Sequence, residues 1–456
     1  MRTVNLTRGS ILGGVCAFAI PLLATSVVQQ LYSTVDLLFV GNVLGTHATA
    51  ALGVGAILLT LLAGLFTGIS VGVNVKVANL AGASNSAALM RAVPTTIALA
   101  VMGGGLLVIV GEMLASPAIE WMRIPTDAAG LALDYLRFAV AAALPLALYN
   151  ACAGALRGLG DSRSPLIAQL IGGFSNIVAN WAALCVLGWG IAGCAFATFV
   201  ANGIAAALGL RFLNQTAKQG DDRPPEGDRL DPSFAWRVLV FGLPIGIQTV
   251  AIAFSNIAVQ YQVDLLGVEC IAAFAIYLKV ELPIYFAILA IGQATTTFVA
   301  QNHGAGQIER CNRGIRICQA LCIAAAVVTS VIMLAIGYWA FWVFNQDEQV
   351  IAIGLSMICI TFPFYYMYAV LEVQADAMRG FGHSLVPAAI VLANICVLRI
   401  ILVWVFCANG GGIEAIAVSY PITWSTTALC MVVARFAFTH KGDDRPSRKR
   451  SRFRKG

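Results

Sequence analysis

The chain has 456 residues, 59% hydrophobic and only 11% charged, with a mean hydropathy of +0.84. Soluble domains carry about 25% charged residues, so this composition excludes a soluble enzyme and specifies a protein with many membrane spans. The net charge of +6 lies mostly in Lys441 to Gly456, a tail with no recognition motif, which argues against nucleic-acid binding and for an orientation signal or an anchor on anionic lipid.

Hydropathy divides the chain into twelve spans, at 11–44, 48–75, 92–113, 130–152, 166–188, 190–213, 236–265, 270–300, 314–344, 350–376, 386–408 and 413–438. Met1 to Ser26 resembles a secretory leader, but the apolar run continues past Ala19 to Val40, which predicts a retained first helix. Segment 214–235, with Asp221, Asp222, Pro224, Pro225 and Glu226, is polar and separates six spans from six. The expected organisation is an amino-terminal lobe at 1–213, a cytoplasmic linker at 214–235, a carboxy-terminal lobe at 236–440 and a basic cytoplasmic tail at 441–456.

The two halves repeat. Ala155-Leu156-Arg157-Gly158-Leu159-Gly160-Asp161-Ser162 returns as Ala377-Met378-Arg379-Gly380-Phe381-Gly382-His383-Ser384, an offset of 379 − 157 = 222. The same offset relates Pro165 to Pro387, Gly82-Ala83 to Gly304-Ala305, Arg91 to Arg313 and Gly190-Ile191 to Gly412-Ile413. One offset held over this length indicates duplication of a six-helix unit. Six is even, so both copies enter the membrane from the same side as parallel repeats, a layout used by secondary transporters. The predicted fold is an all-α integral membrane protein with twelve transmembrane helices in two pseudo-symmetric six-helix bundles.

Arg91, Arg157, Arg163, Lys218, Arg229, Arg310, Arg313, Arg316, Arg379 and the tail fall on one side of the spans. Glu120, Asp127, Asp264, Glu269, Asp347, Glu348 and Glu414 fall on the other, with Arg123. The positive-inside rule then puts both termini in the cytoplasm.

Between Arg8 and His47 the only ionised side chain is Asp36. A charge there costs at least about 2.5–3.5 kcal/mol on insertion scales, which makes Asp36 a functional candidate. Thr25, Ser26, Gln29, Tyr32, Ser33 and Asp36 recur at three- and four-residue steps and share a helical face, which predicts a wet cavity rather than lipid along it. By the rise per residue, Asp36 lies about 12 Å below the outer rim, near the level expected for Tyr135, Asn176, Asn180 and Thr198 on helices 4, 5 and 6. One carboxylate, two amide carbonyls and a hydroxyl suit Na⁺, or a carboxyl group that takes a proton. For the two asparagines alone, interhelical hydrogen bonding is the plainer reading.

The second half lacks this set. Glu281 on helix 8 and Arg399 on helix 11 come to similar depths, roughly 15–16 Å down, and are expected to meet with Lys279 nearby. Gln248, Ser255 and Gln262 form a polar stripe on helix 7 that is a candidate substrate surface, together with Gln29, Tyr32, Glu281 and Arg399. Glu372 and Asp376 read as solvated residues at the cavity mouth. The twelve cysteines have no CxxC pair, and His47, His303, His383 and His440 sit at loops or helix ends, so neither zinc nor a buried catalytic imidazole is expected. No nucleophile arrangement or cofactor motif is present, so the chain does not read as an enzyme.

Pro21 with Gln29-Gln30-Leu31-Tyr32 and Asp36, the Arg-Gly-x-Gly-x-Ser loops at Arg157 and Arg379, Asn176 ahead of Gly190-Ile191-Ala192-Gly193-Cys194-Ala195-Phe196-Ala197-Thr198, and Gln301-Asn302 before Gly304-Ala305 resemble the multidrug and toxic compound extrusion (MATE) transporters, closest to their bacterial DinF-like branch. The resemblance spans nearly the whole chain. It implies an inner-membrane antiporter that expels cationic or amphipathic small molecules in exchange for H⁺ or Na⁺, by alternating access between two lobes; a monomer is expected. It also implies that Asp36, Tyr135, Asn176 and Thr198 serve cation coupling. The DinF-like pattern usually has Asp four residues after the helix 5 Asn; here Asn180 stands there, so one carboxylate of the pattern is missing. The alternative within the transporter class is a flippase for a lipid-linked oligosaccharide, which would be expected to line its cavity with cations.

Overall fold

The computed structural model describes residues 3–44, 46–121, 126–217 and 230–443. Most of the expected linker and most of the basic tail therefore lie outside the described residues, as do Lys218 and Arg229. Side chains of residues 42, 44–62, 118, 120–129, 131–132 and 438–443 are also not described, so His47, Glu120, Arg123, Asp127 and His440 lie outside the described side chains. Helix runs through Ala217 on one side of the linker and from Pro232 on the other, so it covers both ends of the segment expected to be irregular.

Among the described residues there are helices and no strands, and twelve helices are long and apolar enough to cross a membrane. They are α1 (Ile11–Gly41), α2 (Ala63–Gly82), α3 (Ser86–Pro117), α4 (Leu133–Gly158), α5 (Arg163–Val186) and α6 (Gly190–Thr216) in the first lobe. The second lobe has α7 (Pro232–Asp264), α8 (Val268–Gly304), α9 (Ile308–Ala335), α10 (Glu348–Gly380), α11 (Leu385–Ala408) and α12 (Ile413–Ala437). All twelve predicted spans are present. Helix is the form that satisfies every backbone group within one apolar segment, which lipid demands.

Prolines interrupt three of these helices by removing a donor and crowding the carbonyl four residues back. α4 breaks at Ala142 ahead of Pro145, α8 at Glu281 ahead of Pro283, and α10 at the tight turn Phe362–Phe364 around Pro363. Two stretches are wound wider than an α-helix, Trp181–Val186 at the end of α5 and Leu392–Leu398 within α11. Such turns are often found at functional sites. Asn180 stands immediately before the first and Arg399 immediately after the second.

The second lobe has one large apolar core, including Tyr277, Phe298, Phe341 and Phe362. The first has separate clusters, among them one around Val73, Tyr149 and Leu156 and another around Val40, Tyr135 and Ile191. α1 belongs to both lobes. Leu6, just before it, and Val15, Phe18 and Leu22 within it pack into the core of the second lobe. Val40 packs into the first, and Pro21 lies between these anchor points.

The lobes close against each other at the end that carries Arg91, Arg163, Arg310 and Arg313, the basic end. There α2 meets α7 and α8 with backbones almost touching: a Cβ on Gly68 would overlap Gly246, one on Gly82 the Gln301 carbonyl, and one on Gly304 the Asn79 carbonyl. Gly82 and Gly304 are the repeat pair identified above, so the duplicated glycine sits on both sides of one seam. Hydrogen bonds cross it: Asn74 Nδ2 donates to Thr297 Oγ1 at 3.0 Å and Gln301 Nε2 to the Gly158 carbonyl at 2.8 Å. The segment before α1 is tied in by Val4 N–H to Gly160 O at 2.9 Å and by Asn302 Nδ2 to Leu6 O at 3.1 Å.

Candidate ion and substrate sites

Asp36 lies on the last third of α1, facing α5. Asn180 Nδ2 donates to Asp36 Oδ1 at 2.5 Å and to Asn176 Oδ1 at 3.1 Å. Asn176 and Asn180 are fully buried, one helical turn apart on one face. Two polar atoms here have no partner: Asn180 Oδ1 and Asn176 Nδ2. A buried carbonyl oxygen without a donor is costly, so this amide oxygen is a ready ligand for a cation or a water.

Beside Asn176 is a small cavity of about 10 Å³, bounded also by Tyr32, Thr198, Gln169 and Asn202. That is about the least room that holds one water. Thr198 donates to the Cys194 carbonyl at 3.2 Å, which leaves its oxygen free to accept. Tyr135 is buried against Val40 and Cys194, but no hydrogen bond joins it to Asp36. The structure thus brings Asp36, Asn176 and Asn180 into contact, with Thr198 and Tyr32 at the adjoining cavity and Tyr135 in the packing around it. Gln169 and Asn202 were missed by the sequence reading. The signal was there: Asn202 follows Thr198 by four residues, and Gln169 precedes Asn176 by seven.

The polar face expected on α1 divides. Thr25 is buried and spends its hydroxyl on the Pro21 carbonyl at 2.8 Å, while Gln29 and Ser33 are exposed.

In the second lobe, Glu281 and Arg399 do not pair. The Tyr365 hydroxyl donates to Glu281 Oε2 at 2.5 Å. Arg399 donates from Nε and Nη2 to Thr423 Oγ1 at 3.3 and 3.1 Å and lies 4.3 Å from the Tyr420 ring centre. Each charge has found a nearer neutral partner. Similar depth, on which the expectation rested, does not fix the rotation of either helix, and the wide turn before Arg399 changes that rotation. Lys279 is exposed and makes no ion pair with Glu281 among the described residues.

A second correction concerns Glu372 and Asp376. Their side chains are 14% and 5% exposed and share Arg379, whose Nη1 lies 2.7 Å from Asp376 Oδ1 and 3.8 Å from Glu372 Oε1. Arg379 Nη2 also donates to Gln248 Oε1 at 3.2 Å. These are not solvated mouth residues, and Arg379 is not a loop cation. It closes the last turn of α10 and turns inward, where the two carboxylates one turn apart offset its desolvation.

This cluster lines a cavity of about 240 Å³ between the lobes, together with Asn74 from α2, Arg157 from α4, and Tyr285 and Gln293 from α8. Arg157, the repeat mate of Arg379, has no carboxylate within 4 Å among the described residues, and its Nε is buried without a partner. Of the candidate stripe on α7, Gln248 lines this cavity, Ser255 is spent on the Ile395 carbonyl at 3.2 Å, and Gln262 is buried.

A family model, MatE, matches residues 21–182 and again 244–405. The two matches are offset by 244 − 21 = 223 residues, within one of the spacing between the sequence motifs. The probable multidrug resistance protein YoeA of Bacillus subtilis is 26% identical over 426 residues, 88% of this chain and 91% of that protein. The probable multidrug resistance protein NorM of Thermotoga maritima is 23% identical, over 84% and 82% of the two chains. A FAD transporter of Shewanella oneidensis is 21% identical, over 86% and 87%. Among solved structures, a multidrug resistance MATE transporter in its outward-facing conformation superposes with a TM-score of 0.87 at 18% identity, over 97% and 99% of the chains. A MOP-superfamily transporter from Pyrococcus furiosus superposes with a TM-score of 0.86 at 19% identity, over 96% and 98%. These relatives do not favour the flippase reading. Two matched repeats covering most of the chain, on twelve spans folded as in the solved transporters, make this multi-pass membrane protein a member of the MatE family.

Proposed function

We propose that the chain is a secondary multidrug antiporter, exporting cationic or amphipathic small molecules in exchange for H⁺ or Na⁺, with the ion held at Asp36. The observation that carries this reading is the unpartnered amide oxygen of Asn180 beside a lone carboxylate. Turning the Asn180 amide over replaces its nitrogen by its oxygen between Asp36 Oδ1 and Asn176 Oδ1. Three oxygens then face one point, an arrangement that repels itself unless a cation fills it. Thr198 and the water-sized cavity adjoin that point.

With Asp36 ionised, the outer half of the first lobe holds a cation. An entering proton or Na⁺ neutralises it and lowers the affinity for a cationic substrate. The ligand shifts the lobes between states only through unequal affinity for them. One positive charge moving inward at 100 mV contributes about 2.3 kcal/mol. The positive-inside count supports cytoplasmic termini, which makes the basic end the inner one and leaves Asp36 towards the outside. The functional unit in this reading is a monomer, since each lobe pair holds a complete site.

Dye efflux from inverted vesicles, driven by a pH gradient alone and by a Na⁺ gradient alone, identifies the ion. Wild-type efflux by the Asp36→Asn variant under both gradients overturns the assignment.

A further inference from the structure

Beside the lobe seam at the basic end are two cavities of about 560 and 460 Å³. Lys76, Arg237 and Gly382 line both, so they form one groove. Lys76 belongs to α2 of the first lobe, Arg237 to α7 of the second, and His383 to the loop between α10 and α11. Among the described residues, no aspartate or glutamate lines either cavity.

The Lys76 ammonium sits 4.7 Å from the Phe241 ring centre and has no ion pair among the described residues. A ring face holds the charge but leaves the three N–H donors without an oxygen. Arg237 meets Asp231 Oδ2 at 3.6 Å, with its side chain 57% exposed, a loose surface pair. That carboxylate is already engaged through its other oxygen by Ser233 Oγ at 2.6 Å and the Phe234 N–H at 3.0 Å. Burial, and then the Lys76 ammonium, hold the His383 imidazole below its ordinary range. Lys76 of the first lobe and Arg237 of the second therefore converge with no carboxylate among the described residues that line the groove. Trp236, 68% exposed on the same rim, carries the kind of ring that settles at a membrane–water interface.

We propose that this groove binds a phosphate group, presented by an anionic lipid headgroup or by a soluble phosphate compound. The ammonium of Lys76 and the guanidinium of Arg237 hold the oxygens from opposite lobes. Because its ligands come from both lobes, a bound phosphate ties the seam shut, and the lobes part at this end only after it leaves. It thus favours the state described here over one open at the basic end.

Native mass spectrometry of the full chain in mixed micelles tests this, with phosphatidylglycerol, phosphatidylcholine and inorganic phosphate as separate probes. The expected result is one tightly retained phosphatidylglycerol, displaced by millimolar phosphate, and no retained phosphatidylcholine. Lys76→Gln with Arg237→Gln should weaken retention at least tenfold, while Arg91→Gln, at the same end but outside the groove, leaves it unchanged. Phosphate binding that depends on Lys76 and Arg237 without lipid retention supports the site with a soluble source. Undiminished binding by the double variant, equal loss in Arg91→Gln, or no binding of either probe overturns it. If the double variant does not fold, Lys76→Gln alone decides, since it removes the charge that sits over the Phe241 ring and changes one residue only.

Discussion

The two lobes are copies of one six-helix unit, yet they treat buried charge in opposite ways. In the second, Glu281 has the Tyr365 hydroxyl, Arg399 has Thr423 and the Tyr420 face, and Glu372 and Asp376 share Arg379. In the first, Asp36 has one amide, and that amide leaves its own oxygen unmatched. A charge whose partners are built in has little to gain from a visitor. The lobe whose buried carboxylate has only a neutral amide beside it, with that amide's oxygen unmatched, is the one prepared to take up and release an ion.

The comparison is broken most directly at the carboxylates. Asp36→Asn should reduce gradient-driven dye efflux to the rate without a gradient, with the thermal melt unchanged, whereas Glu281→Gln should retain gradient-driven efflux. Loss of coupling in both, or in Glu281→Gln alone, would move the ion site to the second lobe. Next comes Arg379→Met, which strands two buried carboxylates. It should destabilise the protein by about 3–5 kcal/mol, read from denaturation in detergent. A neutral result there would mean that the second lobe is not held by its internal pairing.

Asn180→Ala removes a hydrogen bond to a charged group, worth about 1.5–3 kcal/mol, and should change the apparent ion affinity of efflux about 10- to 100-fold. The smallest effect lies at the seam. Asp231 caps α7, and its backbone N–H donates to Thr95 of the first lobe at 2.9 Å. The Ser233 hydroxyl, then the Phe234 N–H, hold its carboxyl below the usual carboxylate range. A depressed folded pKa means stability present above about pH 4 and lost as pH falls through the depressed value. Asp231 is partly exposed, its side chain at 30%, so solvent screening keeps the effect small. Asp231→Ala should cost about 1 kcal/mol at neutral pH and flatten that acid dependence in thermal melts.

Much of this was legible in the residues alone. Hydropathy delimits the spans, a single offset reveals the duplication, and a solitary acid in a long apolar run exposes itself. Asn176 and Asn180 were legible because four residues make one turn. The pairing in the second lobe was not. It depends on breaks at Glu281 and Phe362–Phe364 and on the wide turn at Leu392–Leu398, each of which changes helix rotation in ways a fixed period does not carry. Arg157 and Arg379 were placed in loops because positive charge near a span end usually orients the chain. Burial shows that each faces the inter-lobe cavity instead.

The first helix is stapled into two bodies at once, by Leu6 to Leu22 in one and by Val40 in the other. If those bodies swing apart, it cannot travel with either as a passenger. It must flex along its length, and its weakest joint is Pro21, where one backbone bond is already absent. Asp36 rides on the free arm beyond that joint, four turns along. Filling or emptying its pocket therefore tugs on the same tether that the swing has to stretch.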